Sequence, residues 1–256
     1  MSDLSRQAFH GVTRAATIVA AVTPGGNYEC PACHFQGRFA SVFAATGRRR
    51  HAICPKCGAL ERHRLQMITL QELLPQLEGT PRRVLHVAPE GAVASALSAW
   101  AASYTTADID GTNVDLSLDL RDMSIVPSES YDLIWASHVF EHIDRDRDAI
   151  KEVRRVLAPG GCAVLPVPIV ADHTVEYPAP SPFEAMHVRA PGADYCDRYK
   201  EQFGRVDIMT SEDAPANCQP WIFENRARFP TKRAPHRPPQ QGKRHRDLVP
   251  ICWRDR

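Results

Sequence analysis

The sequence predicts an α/β protein, a doubly wound, mostly parallel sheet with a small module ahead of it, and three stretches carry that prediction. Tyr131 to Gly161 reads as a strand, a turn, a helix and a stop. Tyr131–Ala136 is the short apolar run of a strand buried on both faces, which needs helices on both sides of its sheet. Ala149, Ile150, Val153, Val156 and Leu157 then recur at helical spacing. Asp144, Asp146 and Asp148 precede them and Lys151, Arg154 and Arg155 lie toward the end, the order that the helix dipole favours. Pro159-Gly160-Gly161 closes the unit, because proline cannot extend a helix and glycine accepts the left-handed turn out of one. The second stretch is Arg82–Ala88, a strand, with the loop Pro89-Glu90-Gly91-Ala92 after it. The third is two C-P-x-C pairs, Cys30 with Cys33 and Cys54 with Cys57.

A chain of 256 residues suffices for one full α/β domain and a small appendage. With 43% apolar residues, 24% charged residues and a formal charge of +1, it has no global bias toward nucleic acid or membrane, although its C-terminal part is basic. No apolar run approaches the ~20 residues of a membrane helix. Ala15–Val22, behind Arg6 and Arg14, comes nearest. It reads as an amphipathic helix packing on the body, the alternative being the core of a cleaved secretory signal. Residues 1–26 are therefore expected to form an N-terminal helix or extension of a cytoplasmic protein that no membrane holds.

Residues 27–64 have the spacing of a zinc ribbon. Each tight C-P-x-C turn presents two sulfurs to one point, so Cys30, Cys33, Cys54 and Cys57 can surround Zn²⁺ tetrahedrally. Two disulfides, or four unrelated cysteines, are the alternatives, and disulfides would require an oxidising compartment. Four thiolates complete the shell, so the ion is expected to be structural, with His34, His51 and His63 as spare donors. So small a module cannot bury enough core alone, and metal binding would contribute directly to its folding. Arg38–Phe43 and His51–Ile53 are its expected strands.

Leu60-Glu61-Arg62-His63-Arg64 opens a helix in which Met67, Leu70 and Leu74 recur, ending near Pro75. These charged residues either face an active site or join the module to the domain through ion pairs. The main domain is expected over 65–213, with a helix through Val93, Leu97 and Trp100, strands at Tyr104–Ile109 and from Leu116, and another from Cys162 to Ile169 whose two prolines belong at a strand end. Residues 170–200 read as an insertion. The stretch 214–247 carries Arg226, Arg228, Lys232, Arg233, Arg237, Lys243, Arg244 and Arg246 among prolines, and reads as a basic, mobile surface loop. Residues 248–256 supply a last strand, Leu248–Trp253. Cys162, Cys196, Cys218 and Cys252 read as small buried apolar residues.

Tyr131-Asp132, Val139-Phe140-Glu141-His142-Ile143 and Arg155-Val156-Leu157-Ala158-Pro159-Gly160-Gly161 together resemble the carboxyl half of the cofactor domain in class I S-adenosylmethionine (SAM) dependent methyltransferases. The two C-P-x-C pairs and Leu60–Arg64 ahead of that domain are similar to a bacterial group of these enzymes with an N-terminal four-cysteine zinc ribbon. The resemblance implies a Rossmann-like class I methyltransferase sheet, its last strand antiparallel at the sheet edge, and SAM as cofactor. His86 stands where the family has an acid, and Ala88, Glu90 and Ala92 stand where its alternating glycines fall, with Gly91 out of step. His86, Ala88, Glu90 and Gly91 are thus expected at the cofactor loop. Asp108 ends the second strand, where an acid accepts hydrogen bonds from both ribose hydroxyls. Ile109 follows it, and Asp110 is its competitor. Asp119 matches the acid that receives the adenine amine, beside the Leu120 amide and near Asp122. Ser137, after the strand Tyr131–Ala136, completes the expected cofactor residues. Glu176, His187-Val188-Arg189 and Gly192-Ala193-Asp194 match the group's insertion, which would cover the acceptor.

The implied reaction is SAM-dependent methyl transfer, in which the protein aligns and desolvates a nucleophile. His138 lies where the methyl group should project and has the ordinary pKa of a general base, with His187 as the second candidate. For both, a purely structural histidine is the alternative. Ala136-Ser137-His138-Val139 stands where amine-directed nucleic-acid methyltransferases carry Asn-Pro-Pro-aromatic, which favours an oxygen or nitrogen of a small-molecule acceptor such as a sugar or secondary metabolite. One rival is an RNA methyltransferase whose ribbon and basic tail contact phosphates. The other is a non-catalytic, zinc-stabilised scaffold with a degenerate SAM site. Nothing in the sequence specifies an oligomeric state.

Overall fold

The computed structural model describes residues 28–44, 47–232, 234–242 and 244–255; the helix expected over 1–26 lies outside the described residues, as do Arg233 and Lys243. The N-terminal module is two small hairpins. Strands β1 (Tyr28–Glu29) and β2 (Gln36–Gly37) pair antiparallel around the first cysteine turn, and β3 (Ala40–Ala44) pairs with β4 (Gly47–Ile53), which leads into the second. Helix α1 (Glu61–Leu73) follows and tightens through a single 3₁₀ turn containing Pro75.

The domain then alternates strand and helix: β5 (Arg83–Val87), α2 (Gly91–Trp100), β6 (Ser103–Asp108), β7 (Leu116–Ser117), β8 (Tyr131–Ala136), α3 (Asp146–Val156) and β9 (Leu157–Val164). A hairpin of β10 (Val175–Ser181) and β11 (His187–Ala190) interrupts it, followed by α4 (Cys196–Lys200), β12 (Arg205–Thr210) and β13 (Leu248–Trp253). The seven-stranded sheet has the order β12-β13-β9-β8-β5-β6-β7, and β13 runs antiparallel to both neighbours. This is the Rossmann-like, mostly parallel sheet with an antiparallel last strand that the resemblance implies.

Both faces of the sheet are apolar because both are covered. Leu85, Val87, Ile134 and Ala136 pack on Ala149, Ile150, Val153 and Val156 of α3, whereas Val84, Leu133 and Trp135 pack on Leu65, Ile68 and Leu73 of α1 and Val93 and Leu97 of α2. Each larger aliphatic side chain so buried contributes roughly 1.5–3 kcal/mol. Asp132 sets the register of the first pair: its carboxylate accepts the Arg83 backbone N–H at 2.8 Å and the Arg83 guanidinium at 3.0 and 3.1 Å.

Three expectations need correction. The antiparallel strand β13 is not at the sheet edge; it lies between β9 and β12, and β12 is the edge. Strand β9 begins at Leu157, not Cys162, because Pro159-Gly160-Gly161 forms an irregularity within the strand where its register against β8 shifts. Gly161 is obligatory there, since a Cβ would lie 2.7 Å from the Asp132 carbonyl oxygen. The strand does end before Pro166 and Pro168, as their missing donors require. Finally, the basic Pro-rich stretch is packed, not free: Arg226, Arg237 and His245 are buried, Ile222 bridges His245, and Phe223 bridges Arg50 of β4. Arg226 and Arg237 find carboxylate and carbonyl partners, while Arg228, Arg244 and Arg246 are exposed.

Candidate active site

The strand ends of a doubly wound sheet open into a crevice where order reverses, and the first cavity lies there. Val87 and Ala88 at the end of β5, Asp108 and Ile109 at the end of β6, the loop Leu118–Arg121, and His138, Val139, His142 and Ile143 after β8 enclose about 390 Å³. Ala88 and His138 both adopt left-handed backbone, with φ of +48° and +56°. Such non-glycine conformations cost energy and cluster where strand ends must turn around a ligand.

Asp108 is half-buried, and among the described residues its carboxylate accepts a single long hydrogen bond, 3.4 Å, from the Asp110 N–H, which leaves it capacity to accept more. Ile109 beside it is 66% exposed, an apolar platform next to an acid. Asp110, the competitor, is an exposed turn residue that accepts the Thr112 N–H at 2.8 Å. Asp119 lines the cavity, yet Arg121 engages both of its oxygens at 2.7–3.0 Å and holds its carboxyl below the usual range. Asp122 faces away, its carboxylate turned to the Ser124 N–H.

Five expected cofactor residues, Ala88, Asp108, Ile109, Asp119 and Leu120, thus meet around one cavity. Four lie outside it. His86 is fully buried on the other face of β5, where Nδ1 meets the Tyr104 hydroxyl at 2.8 Å and burial pushes its pKa down to about 4. Gly91 opens α2, with φ of +24°. Glu90 turns toward α1: Arg62 lies at 2.7 Å and His63 Nε2 at 3.3 Å. Burial alone would raise the Glu90 carboxyl, but His63 and Arg62 hold it well below the usual range. Ser137 is buried in the same network, accepting from the Gln66 amide at 2.9 Å and donating to Glu90 at 3.4 Å. An ion-paired side chain therefore occupies the place of a bare glycine loop.

A second cavity of about 360 Å³ adjoins the first. Its walls come from four distant stretches: Arg49 of β4 and Arg62 of α1; Pro168–Val170 after β9; Phe183–Ala185 and His187 of the hairpin; and Ile222, Glu224, Arg226, Ala234, Arg237 and Asp247 of the basic segment. The four arginines pair with Glu61, Glu90, Glu224 and Glu184. The hairpin is fastened by Arg189, whose guanidinium donates to the carbonyls of Phe140 and Ile143 at 2.6 Å and Asp144 at 3.1 Å.

His138 lines both cavities. Its Nδ1 lies 3.3 Å from Oε1 of the fully buried Glu141. Burial alone would raise the Glu141 carboxyl, but His138 keeps it below its ordinary value. A base with one nitrogen oriented by a carboxylate and the other facing a reacting atom is an arrangement suited to proton transfer. His187 lines only the second cavity, its pKa pushed down to about 4 by burial. Sequence reasoning noticed Glu141, His142 and Arg62 as motif members without assigning them this place, and it missed Arg49 altogether, since only the folded chain brings the ribbon to the cavity.

In the ribbon, the four sulfurs converge, with Cys30 to Cys57 and Cys33 to Cys54 both at 3.6 Å. Tetrahedral Zn²⁺ with Zn–S of ~2.3 Å sets sulfurs ~3.8 Å apart, so the donor set fits. The two turns repeat one geometry: His34 N–H donates to the Cys30 carbonyl and Gly58 N–H to the Cys54 carbonyl, and both residues have positive φ. All eight cysteines are free thiols. Arg64 joins ribbon to domain: fully buried, it donates to the carbonyls of His51, Ala52, Ala59, Cys218 and Gln219 and lies 4.3 Å from the Phe39 ring centroid.

Residues 85–165 match the family model described as a methyltransferase domain. The fold is similar to that of a SAM-dependent methyltransferase from Archaeoglobus fulgidus, at 15% identity, covering 74% of this chain and 94% of that one, with a TM-score of 0.46. It is also similar to that of an S-adenosylmethionine-dependent methyltransferase from Mesorhizobium loti, at 15% identity, covering 73% and 97% of the two chains, with a TM-score of 0.47. No curated protein matches the chain. Among the described residues, no helix is long and apolar enough to cross a membrane.

Proposed function

We propose that this chain, whose residues 85–165 match a methyltransferase-domain model, transfers a methyl group from SAM to an oxygen or nitrogen of a small molecule in the second cavity. The observation that carries this reading is His138, the one strand-end side chain facing both cavities. SAM, when bound, supplies an electrophilic methyl on a sulfonium. Asp108 would accept hydrogen bonds from the ribose hydroxyls, and Ile109 with Leu118 and Leu120 would pack on the adenine. His138, oriented by Glu141, would take the proton that the acceptor loses on methylation. A cavity of this size, walled on several sides and lined with arginines, suits a polar small molecule, such as a sugar or a secondary metabolite.

The four ribbon cysteines hold a structural zinc ion in this reading, and free thiols suit a reducing compartment such as the cytoplasm. The ion-paired Glu90 favours the scaffold alternative, because it replaces the open cofactor loop. Calorimetry separates the two. SAM should bind the zinc-loaded protein, and D108A should weaken it by about 1.5–3 kcal/mol, the loss of hydrogen bonds to a charged acceptor. Absence of heat in the wild-type protein would leave only the scaffold. Transfer of labelled methyl into small-molecule pools, and not into RNA, is the expected assignment of the acceptor.

A further inference from the structure

We infer that Glu141, His142 and His187 form a second metal site, for a divalent first-row transition ion, at the seam between the two cavities. One donor atom from each lies within 4.8 Å of the others. Glu141 is 1% exposed, and its Oε2 has no hydrogen-bond partner; the buried Nδ1 of His187 has none either. A buried acceptor without a partner costs free energy, and two of them turned to one point are what a cation would satisfy.

The donors come from two elements already locked together. Glu141 and His142 sit in the turn after β8, and His187 is on β11, held over that turn by the three hydrogen bonds of Arg189 to the carbonyls of residues 140, 143 and 144. The second oxygen of Glu141 faces His138 Nδ1 at 3.3 Å, an outer contact of the kind that fixes a ligating carboxylate. The rings of His142 and His187 stand edge to face with centroids 4.7 Å apart. Loading would draw the three donors together until each lies ~2.0–2.2 Å from the ion.

Two imidazoles and one carboxylate select Mn²⁺, Fe²⁺ or Zn²⁺ over Mg²⁺ or Ca²⁺. Three protein ligands leave coordination positions open, unlike the closed four-thiolate ribbon. His142 lines the first cavity and His187 the second, so an ion held between them would lie beside both. Resting on the methyl-transfer reading, this narrows the acceptor to an oxygen nucleophile with a second oxygen beside it, such as vicinal hydroxyls or a hydroxyl next to a carboxylate. Metal binding itself does not depend on that reading.

The test is titration of Mn²⁺ into full-length protein whose ribbon already carries zinc, followed by loss of the free-ion electron paramagnetic resonance signal. One Mn²⁺ per chain is expected, with affinity reduced at least about tenfold in E141Q and in H187Q. H142Q, at an exposed position, should show the same loss and keeps the test decisive if the buried variants fail to fold. D108A should lose SAM affinity and keep the ion. No Mn²⁺ uptake by the wild-type protein, or uptake unchanged in H142Q and H187Q, would overturn the site while leaving the SAM result standing.

Discussion

The two cavities are built by opposite strategies. The first is made of residues that directly follow three neighbouring strands, so the sheet alone positions Ala88, Asp108 and His138. The second depends on parts far apart in sequence, the ribbon through Arg49, the hairpin through His187 and the basic segment through Arg226 and Arg237. The first cavity is thus a property of the sheet, while the second is a property of what has been added around it.

Four experiments would break or sharpen that contrast. The largest effect should follow removal of the zinc proposed for the four cysteines, by chelation or by C54S, since a structural zinc ion contributes on the order of 10–16 kcal/mol of apparent binding energy to so small a module. The ribbon should unfold, with loss of its zinc content and its melting transition, and acceptor turnover should vanish while SAM still binds. Loss of both together would show the cavities to be inseparable. R64M comes next: it strands five carbonyl acceptors and should lower the denaturation free energy by on the order of 3–5 kcal/mol, read from the urea midpoint.

His86 belongs to the sheet that carries the first cavity, although it is buried on the face away from it. Its folded pKa of about 4 lies below the ordinary 6.5, so the unfolded chain binds the proton more readily between those values. Its contribution to stability is complete above pH 6.5 and is lost at about 1.4 kcal/mol per unit as pH falls toward 4. H86Q should unfold with a shallower acid dependence over that window; an unchanged slope would place the sensitivity elsewhere. The smallest effect belongs to R237Q, which removes the partner of Glu184 at the second cavity's wall. It should raise the acceptor KM several-fold with SAM affinity unaltered by calorimetry.

How much was legible followed the same division. Asp108 lines the first cavity as expected because a strand end is local, Asp119 does so as its match to a family motif implied, and the four cysteines could be grouped because each knuckle is a single turn. His86 and Ser137 were placed in the cavity by position in a motif, but the alternation of β5 turns His86 to the opposite face and Gln66 claims the Ser137 hydroxyl. Pro159-Gly160-Gly161 read as a stop because helix signals say nothing of an irregular strand start. Arg226 and Arg237 read as solvated because the carbonyl of Ile169 and Glu184 come near them only after folding, and because burial of the Arg226–Glu224 pair is a tertiary effect.

The placement of β13 between β9 and β12 also dictates an order of assembly. Strand β12 has no other neighbour, so it cannot join the sheet until residues 248–253 have been laid against β9. The intervening segment, which walls the acceptor cavity, is tethered at both ends by that same event. A nascent domain could therefore complete its first cavity before its second.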